Sequence, residues 1–152
     1  KKKGMSVKEN MQALEELKHR IVHKFTVDDL TYLQRGGRIS KTAAVIGGMI
    51  QLKPVLHVDT EGRLAAESKV RGRKKALNQL LAEMDICTGS YADKQDVVLI
   101  CHADCPEDAE YVRAKVEEKY HPNKIIMSEV GPIVGAHVGP GTMVLIFEGD
   151  KR

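Results

Sequence analysis

From residue 54 onward, short apolar runs alternate with amphipathic segments, and this order constrains the fold more than any other feature of the chain. Residues 54–58 and 64–70 have the pattern of strands joined by a turn at 59–62, which predicts a hairpin. Residues 72–86 carry the apolar stripe of an amphipathic helix. The continuous apolar run 97–101 predicts a strand that is buried on both faces or nearly so.

The remaining segments complete the pattern. Pro106, followed by two acidic residues, predicts the start of a helix that runs to about residue 119. Residues 125–127 and 143–147 have the pattern of strands, with a turn or short helix in the connection between them. The order β-β-α-β-α-β-β predicts an α/β fold, a two-layer sandwich in which helices pack on a mixed sheet.

The N-terminal segment is interpreted as lying outside this unit. Ser6 and Glu9 form a capping box at the start of a predicted helix, and a short strand is predicted near residues 21–25. We therefore divide the chain into residues 1–31, the remnant of a preceding domain or a linker helix, and residues 32–152, the α/β domain. Because the chain begins with Lys rather than Met, we expect it to be part of a longer protein.

Composition narrows the function classes. The chain has 152 residues, of which 42% are hydrophobic and 30% charged, which is typical of one globular domain and excludes a disordered chain. No signal peptide pattern is present, so we expect a cytoplasmic protein. The net charge is only +3, with two Phe, four Tyr and no Trp, so nucleic acid is not expected as a partner. Three cysteines without metal-ligand spacing indicate neither a metal site nor another cofactor.

Two glycine-rich turns lie about a hundred residues apart, at 35–40 (RGGRIS) and 131–142 (GPIVGAHVGPGT). Glycine allows close approach to the backbone, and Arg and His supply hydrogen-bond donors for an anion. The apolar stretch 43–50 follows the first turn and is predicted to form a helix capped by Ser40. This helix either is buried in the hydrophobic core or lines a tunnel for an apolar ligand with Ile46, Met49 and Ile50. Together these features suggest a ligand with an apolar body and a negative head.

The charged residues near these turns each have two interpretations. His137 is either a donor to a ligand carboxylate or a loop histidine bonded to local backbone groups. Arg38 precedes a predicted helix start, where an anion is favoured, but it is equally interpreted as a surface arginine. The basic run 69–75 includes Arg71 and Arg73 and either docks an acidic partner or forms a solvated face.

Four segments resemble the DegV family. They are LTYLQRGGRIS at 30–40, LKPVL at 52–56, KVRGRKKA at 69–76 and HVGPG at 137–141, in the family's order and spacing. The resemblance covers the family's C-terminal half. It implies a bacterial two-domain protein that holds a long-chain fatty acid between its domains and presents the carboxylate to a partner kinase, without being an enzyme itself.

The resemblance, together with the patterns described above, gives expected roles to particular residues. His137 and Arg38 are expected to bind the carboxylate, Ile46, Met49 and Ile50 to contact the acyl chain, and Arg71 and Arg73 to contact the kinase. The Ser and Thr residues that bind the carboxylate in the family lie in an N-terminal domain that this sequence lacks. We therefore expect this chain alone to bind fatty acid poorly, and to cover its apolar wall by self-association or by folding residues 1–31 across it. Transient contact with a membrane surface is left open.

An enzyme remains the alternative. The glycine-rich turns, with Arg38 and His137, would then cradle the phosphate of a phosphorylated small molecule. No Walker pattern is present, and no carboxylate lies in either turn to hold Mg²⁺, which disfavours this alternative. A third interpretation is a domain that shares only the fold.

Overall fold

The computed structural model describes residues 4–39 and 52–151. Its elements are, in chain order, α1 (Val7–Leu17), β1 (Ile21–Thr26), α2 (Thr31–Arg35), β2 (Leu52–Val58), β3 (Leu64–Arg71), α3 (Arg73–Thr88), β4 (Val97–His102), α4 (Pro106–Tyr120), β5 (Lys124–Glu129), α5 (Pro132–Val138) and β6 (Met143–Glu148). The predicted apolar helix 43–50, with Ile46, Met49 and Ile50, lies outside the described residues.

The six strands form one mixed sheet in the order β3-β2-β1-β6-β4-β5. Strands β4 and β5 are parallel, and the other neighbouring pairs are antiparallel. The predicted hairpin is confirmed, because β2 pairs with β3 and the connecting turn is closed by a hydrogen bond from Asp59 N to Arg63 O of 2.9 Å. The prediction of an α/β fold with helices packed on a mixed sheet is therefore confirmed.

Strand β1 corrects the interpretation of residues 1–31. It lies between β2 and β6, with Phe25 opposite both Leu56 and Val144, so it belongs to the centre of the sheet. The sequence hides this because Lys24 interrupts the apolar pattern, yet its side chain is only 1% exposed. Helix α1 begins with the predicted Ser6 capping box but buries none of its residues. It therefore does not cover an apolar wall of the sheet.

Helices α3 and α4 cover one face of the sheet and enclose the larger core. This core contains Val22, Val55, Leu77, Leu80, Met84, Val98, Ile100, Val112, Val116, Met143, Leu145 and Phe147. Strand β4 contributes Val98 and Ile100, which are fully buried, whereas Val97 is 42% exposed. The prediction that this strand is buried on both faces is wrong, because its other side is not fully covered by the described residues.

The short helices α2 and α5 pack together on the opposite face. A smaller core lies beneath them, formed by Phe25, Val27, Leu30, Leu33, Leu56 and Val138. Because these helices have only five and seven residues, they leave apolar side chains in solvent. Ile133 on α5 is 81% exposed and Val134 is 54% exposed. The two glycine-rich turns lie on this partly covered face.

Candidate functional site

The second glycine-rich turn packs against the segment that precedes the first turn in the chain. A Cβ added to Gly139 would lie 2.5 Å from Cδ2 of Tyr32, and one added to Gly141 would lie 2.7 Å from Cγ of Asp28. Both glycines also have positive φ, 77° and 74°, which L side chains rarely adopt. Glycine at these two positions therefore makes room for the side chains of Tyr32 and Asp28. The sequence suggested instead that these glycines make room for a ligand.

Thr142 fixes the end of the second turn. Its buried hydroxyl donates to the backbone oxygens of Val138 and Gly139, at 3.0 and 2.9 Å. The backbone N–H of Gly139 donates to Gly135 O at 2.8 Å, which closes the end of α5. These contacts hold the last turn of α5, which carries His137, in one position on the sheet.

The first turn is closed by backbone hydrogen bonds and holds Arg38. Gly36 N donates to Tyr32 O at 2.9 Å, and Arg38 N donates to Leu33 O at 2.8 Å. The Arg38 guanidinium donates from Nη1 to the carbonyl oxygen of Gly36 at 2.5 Å. Arg38 is otherwise an exposed residue.

Arg38 and His137 line the same apolar cleft, of about 290 Å³. The apolar lining consists of Phe25, Leu33, Val58, Leu64, Ile133, Val134, Val138 and Val144. A second cleft of about 540 Å³ adjoins it and shares Arg38 and Leu64. The structure thus brings the two residues predicted to bind a carboxylate to one apolar surface. Such a surface suits a ligand with an oily chain and an anionic end.

Strand β1 contributes two residues of the cleft that the sequence analysis does not assign to a site. His23 and Phe25 lie on β1 and contribute to the lining, and Phe25 is 4% exposed. The period-two spacing of these residues was an available signal, because alternate residues of a strand share a face. The division of the chain at residue 31 separates these two residues from the α/β domain.

Arg73 has its contacts inside the domain. Its Nε donates to Asp108 Oδ2 at 2.7 Å, its Nη1 pairs with Asp28 Oδ1 at 3.2 Å, and its Nη2 lies 3.4 Å from the sulfur of Cys105. These bonds tie the first turn of α3 to the first turn of α4 and to the end of β1. They indicate a structural role, so its expected contact with a partner stays a prediction.

Arg71 lies on the exposed end of β3, and Lys74 and Lys75 are exposed at the start of α3. Lys74 also lies over the ring of Tyr111, at 5.7 Å from the centroid. The predicted basic surface therefore exists, although Arg73 is turned into the domain.

In residues 4–39 and 52–151, no group of three or more His, Cys, Asp and Glu side chains has a geometry that could hold a metal ion. Among the described helices, none is both long enough and apolar enough to cross a membrane.

Comparison with known proteins places the chain in a family. The family model described as "Uncharacterised protein, DegV family" matches residues 1–150. A DegV domain-containing protein of Clostridium perfringens is 40% identical over 152 residues, which are 100% of this chain and 52% of that protein.

Two solved structures share the fold. DegV of Bacillus subtilis, described as a fatty acid binding protein, is 32% identical, with a TM-score of 0.78, over 98% of this chain and 52% of its own. The Fatty Acid Kinase (Fak) B3 protein of Streptococcus pneumoniae, loaded with linoleic acid, is 18% identical, with a TM-score of 0.87, over 97% of this chain and 51% of its own. At 18% identity, the similarity to the Streptococcus pneumoniae protein shows only that the fold is shared.

This chain spans about half the length of the curated relatives that it matches. The family match extends over nearly all of its residues, and it agrees with the resemblance of the four sequence segments. The chain belongs to the DegV family.

Proposed function

We propose that this chain supplies one wall of a carrier for long-chain fatty acids. The observation that carries the proposal is the apolar cleft lined by both Arg38 and His137. The acyl chain lies along the cleft, and its carboxylate accepts hydrogen bonds from these two side chains. Each buried methylene contributes about 0.8 kcal/mol, so the apolar surface supplies most of the affinity. The two donors select an acid over a neutral lipid.

A second domain supplies the opposite wall. The relatives are about twice as long as this chain, and α5 exposes Ile133 and Val134 beside the cleft. An apolar surface of this kind is normally covered by a ligand or by another protein surface. The chain on its own therefore retains fatty acid poorly and associates with itself. Light scattering of the isolated chain, together with a titration of fluorescent fatty acid, tests this point.

The carrier presents the carboxylate to a cytoplasmic fatty-acid kinase and catalyses no transfer itself. The end of β3 and the start of α3 carry four exposed basic residues, Lys69, Arg71, Lys74 and Lys75. A basic surface of this kind accelerates encounter with an acidic face of a partner, and salt screens the attraction. Charge reversal by Arg71→Glu is expected to weaken kinase coupling and its salt dependence while leaving fatty-acid retention unchanged. Lys115→Glu on α4 is the matched control. Loss of retention with normal kinase coupling would contradict this assignment.

The ligand is tested first by mass spectrometry of organic extracts from the purified two-domain protein. We expect a long-chain fatty acid. Recovery of a nucleotide or sugar phosphate without fatty acid would instead support an enzyme that acts on a phosphorylated small molecule.

The carboxylate site is then tested by comparing a fatty acid with its methyl ester. His137→Ala and Arg38→Ala are each expected to weaken binding of the acid roughly tenfold to a hundredfold, the effect of losing a hydrogen bond to a charged group. Binding of the neutral ester should change little. His19→Ala and Arg113→Ala are controls, since His19 follows α1 and Arg113 lies on α4, away from the cleft. Equal losses for acid and ester would contradict a role in binding the carboxylate.

A further inference from the structure

Gly36 contacts Arg38 and His137, two of the polar residues that line the cleft. An ideal Cβ at this position would lie 2.2 Å from Nδ1 of His137, 3.1 Å from its Cγ and 3.2 Å from its Cε1. Real Cβ atoms essentially never come closer than 3.0 Å to such atoms, so the imidazole occupies the space that a side chain would need. On its other side, the carbonyl oxygen of Gly36 accepts the hydrogen bond from Arg38.

The backbone at this position does not itself require glycine. Gly36 has φ −74° and ψ −3°, values that any L-residue adopts. The next residue differs, because Gly37 has φ 70° and nothing lies within 4 Å of its ideal Cβ. At Gly37 the conformation favours glycine, whereas at Gly36 the only requirement in the described structure is the space taken by His137.

The backbone of His137 has little freedom to move away from Gly36. Val138, the next residue, is 7% exposed and belongs to the core beneath α2 and α5. Gly139 lies directly against the ring of Tyr32. A side chain at position 36 would therefore rotate the imidazole away from the turn, rather than displace the helix that carries it.

We propose that Gly36 is a positioning residue, whose missing side chain and carbonyl group together hold His137 and Arg38 at one point of the cleft. The nature of the ligand rests on the proposed function, but the contact between Gly36 and His137 does not. The first turn thus does more than carry Arg38: it sets the orientation of a histidine that lies a hundred residues later.

The steric part is tested in this chain without a ligand. Gly36→Ala is expected to lower Tm by about 5 °C, the typical effect of overpacking by one methyl group. It should also shift the NMR signals of the His137 imidazole. In a His137→Ala background the same substitution should have no effect on Tm, because the clash is gone. Gly131→Ala is the matched control, since Gly131 has φ −60° and open space around its Cβ.

Two results would overturn this part. One is an equal loss of Tm with and without the His137 ring, and the other is an unchanged imidazole spectrum in Gly36→Ala. If Gly36→Ala alone does not fold, folding of the Gly36→Ala/His137→Ala double variant supports the contact, and failure of both refutes it.

The functional part is tested by affinity in the two-domain protein. Gly36→Ala is expected to weaken binding of the fatty acid about tenfold, a shift that corresponds to one hydrogen bond to a charged group. Binding of the methyl ester should be unchanged, because the acyl surface is intact. An equal loss for acid and ester would show that Gly36 only maintains the fold. If the wild-type protein binds neither ligand, the proposed function fails, while the Tm and NMR results still decide whether Gly36 positions His137.

Discussion

Lys24 offers the sharpest test of how this domain is stabilised, because it is a charged residue in the centre of the sheet. Its side chain is 1% exposed and forms ion pairs with Glu67 on β3 and, at 3.7 Å, with Glu83 on α3. Gln79 donates to the second oxygen of Glu83 at 2.8 Å. The Nδ1 atom of His57 lies 3.4 Å from the carboxylate of Glu67. The lysine is therefore the cation at the centre of a polar cluster under helix α3.

The substitution Lys24→Met keeps most of the volume of the side chain and removes its charge. Glu67 has a side chain that is 28% exposed and can turn towards water, but that of Glu83 is only 8% exposed. Glu83 is then left as a buried carboxylate without a cation. Breaking a buried ion pair in this way costs about 3–5 kcal/mol. Because a domain has a total stability of roughly 5–15 kcal/mol, this one change consumes a large part of it.

Urea denaturation measures the free energy of unfolding of each variant. The double variant Lys24→Met/Glu83→Leu removes the orphaned carboxylate and should recover most of the loss, so the two effects should be strongly non-additive. Lys18→Met is the matched control, because Lys18 forms an exposed ion pair on α1 and should contribute less than about 1 kcal/mol. A loss below 1 kcal/mol for Lys24→Met, or additive losses in the double variant, would refute the reasoning.

Three further predictions concern other contacts. The Asp29 carboxylate accepts hydrogen bonds from Thr31 at the start of α2, and these bonds hold the pKa of Asp29 below its usual range. The stabilisation that they give is fully present above the unfolded-state pKa of about 3.9 and is lost as the pH falls through the folded-state pKa. Asp29→Asn should therefore flatten the acid side of a plot of unfolding free energy against pH. Burial raises the pKa of the Cys87 thiol, so its reaction with iodoacetamide at pH 8 should be much slower in the folded protein than in urea. Arg73→Glu places a carboxylate between Asp28 and Asp108 and should lower the free energy of unfolding by about 1–3 kcal/mol, measured by chemical denaturation. A free energy of unfolding equal to that of the wild type would show that these ion pairs have no structural role.

Periodicity predicted α3 and β4 well, because their apolar patterns are uninterrupted. The stripe of α3 and the apolar run of β4 each supply several core residues, and the bounds predicted from sequence agree with the structure to within a few residues. Strand β1 was misplaced for the opposite reason. Its buried polar residues, Lys24 and Thr26, are satisfied by partners on β3, α3 and β2, and such distant partners leave no trace in the local sequence.

The site was predicted in part. Arg38 and His137 were identified from residue type, glycine content and family resemblance, and the structure brings them to one cleft. Their mutual arrangement through Gly36 was not predictable, because it depends on how α2 packs against α5. For the same reason the sequence around Arg73 indicates a surface cation. Its partners lie 35 and 45 residues away in sequence, and only the fold brings them within bonding distance.

The two faces of the sheet are covered to different degrees, and two consecutive residues of strand β1 lie on opposite faces. Lys24 points to the face covered by α3, where it meets Glu83, whereas Phe25 points to the cleft that contains His137. The long helices α3 and α4 can bury one face because they span 16 and 15 residues, while the five residues of α2 and seven of α5 cannot bury the other. Apolar surface left open in this way favours any partner that covers it. Under the proposed function, changes on the helix-covered face should alter unfolding without altering which lipid the two-domain protein binds. Changes to the exposed side chains Ile133 and Val134 on α5 should alter lipid binding with little effect on unfolding.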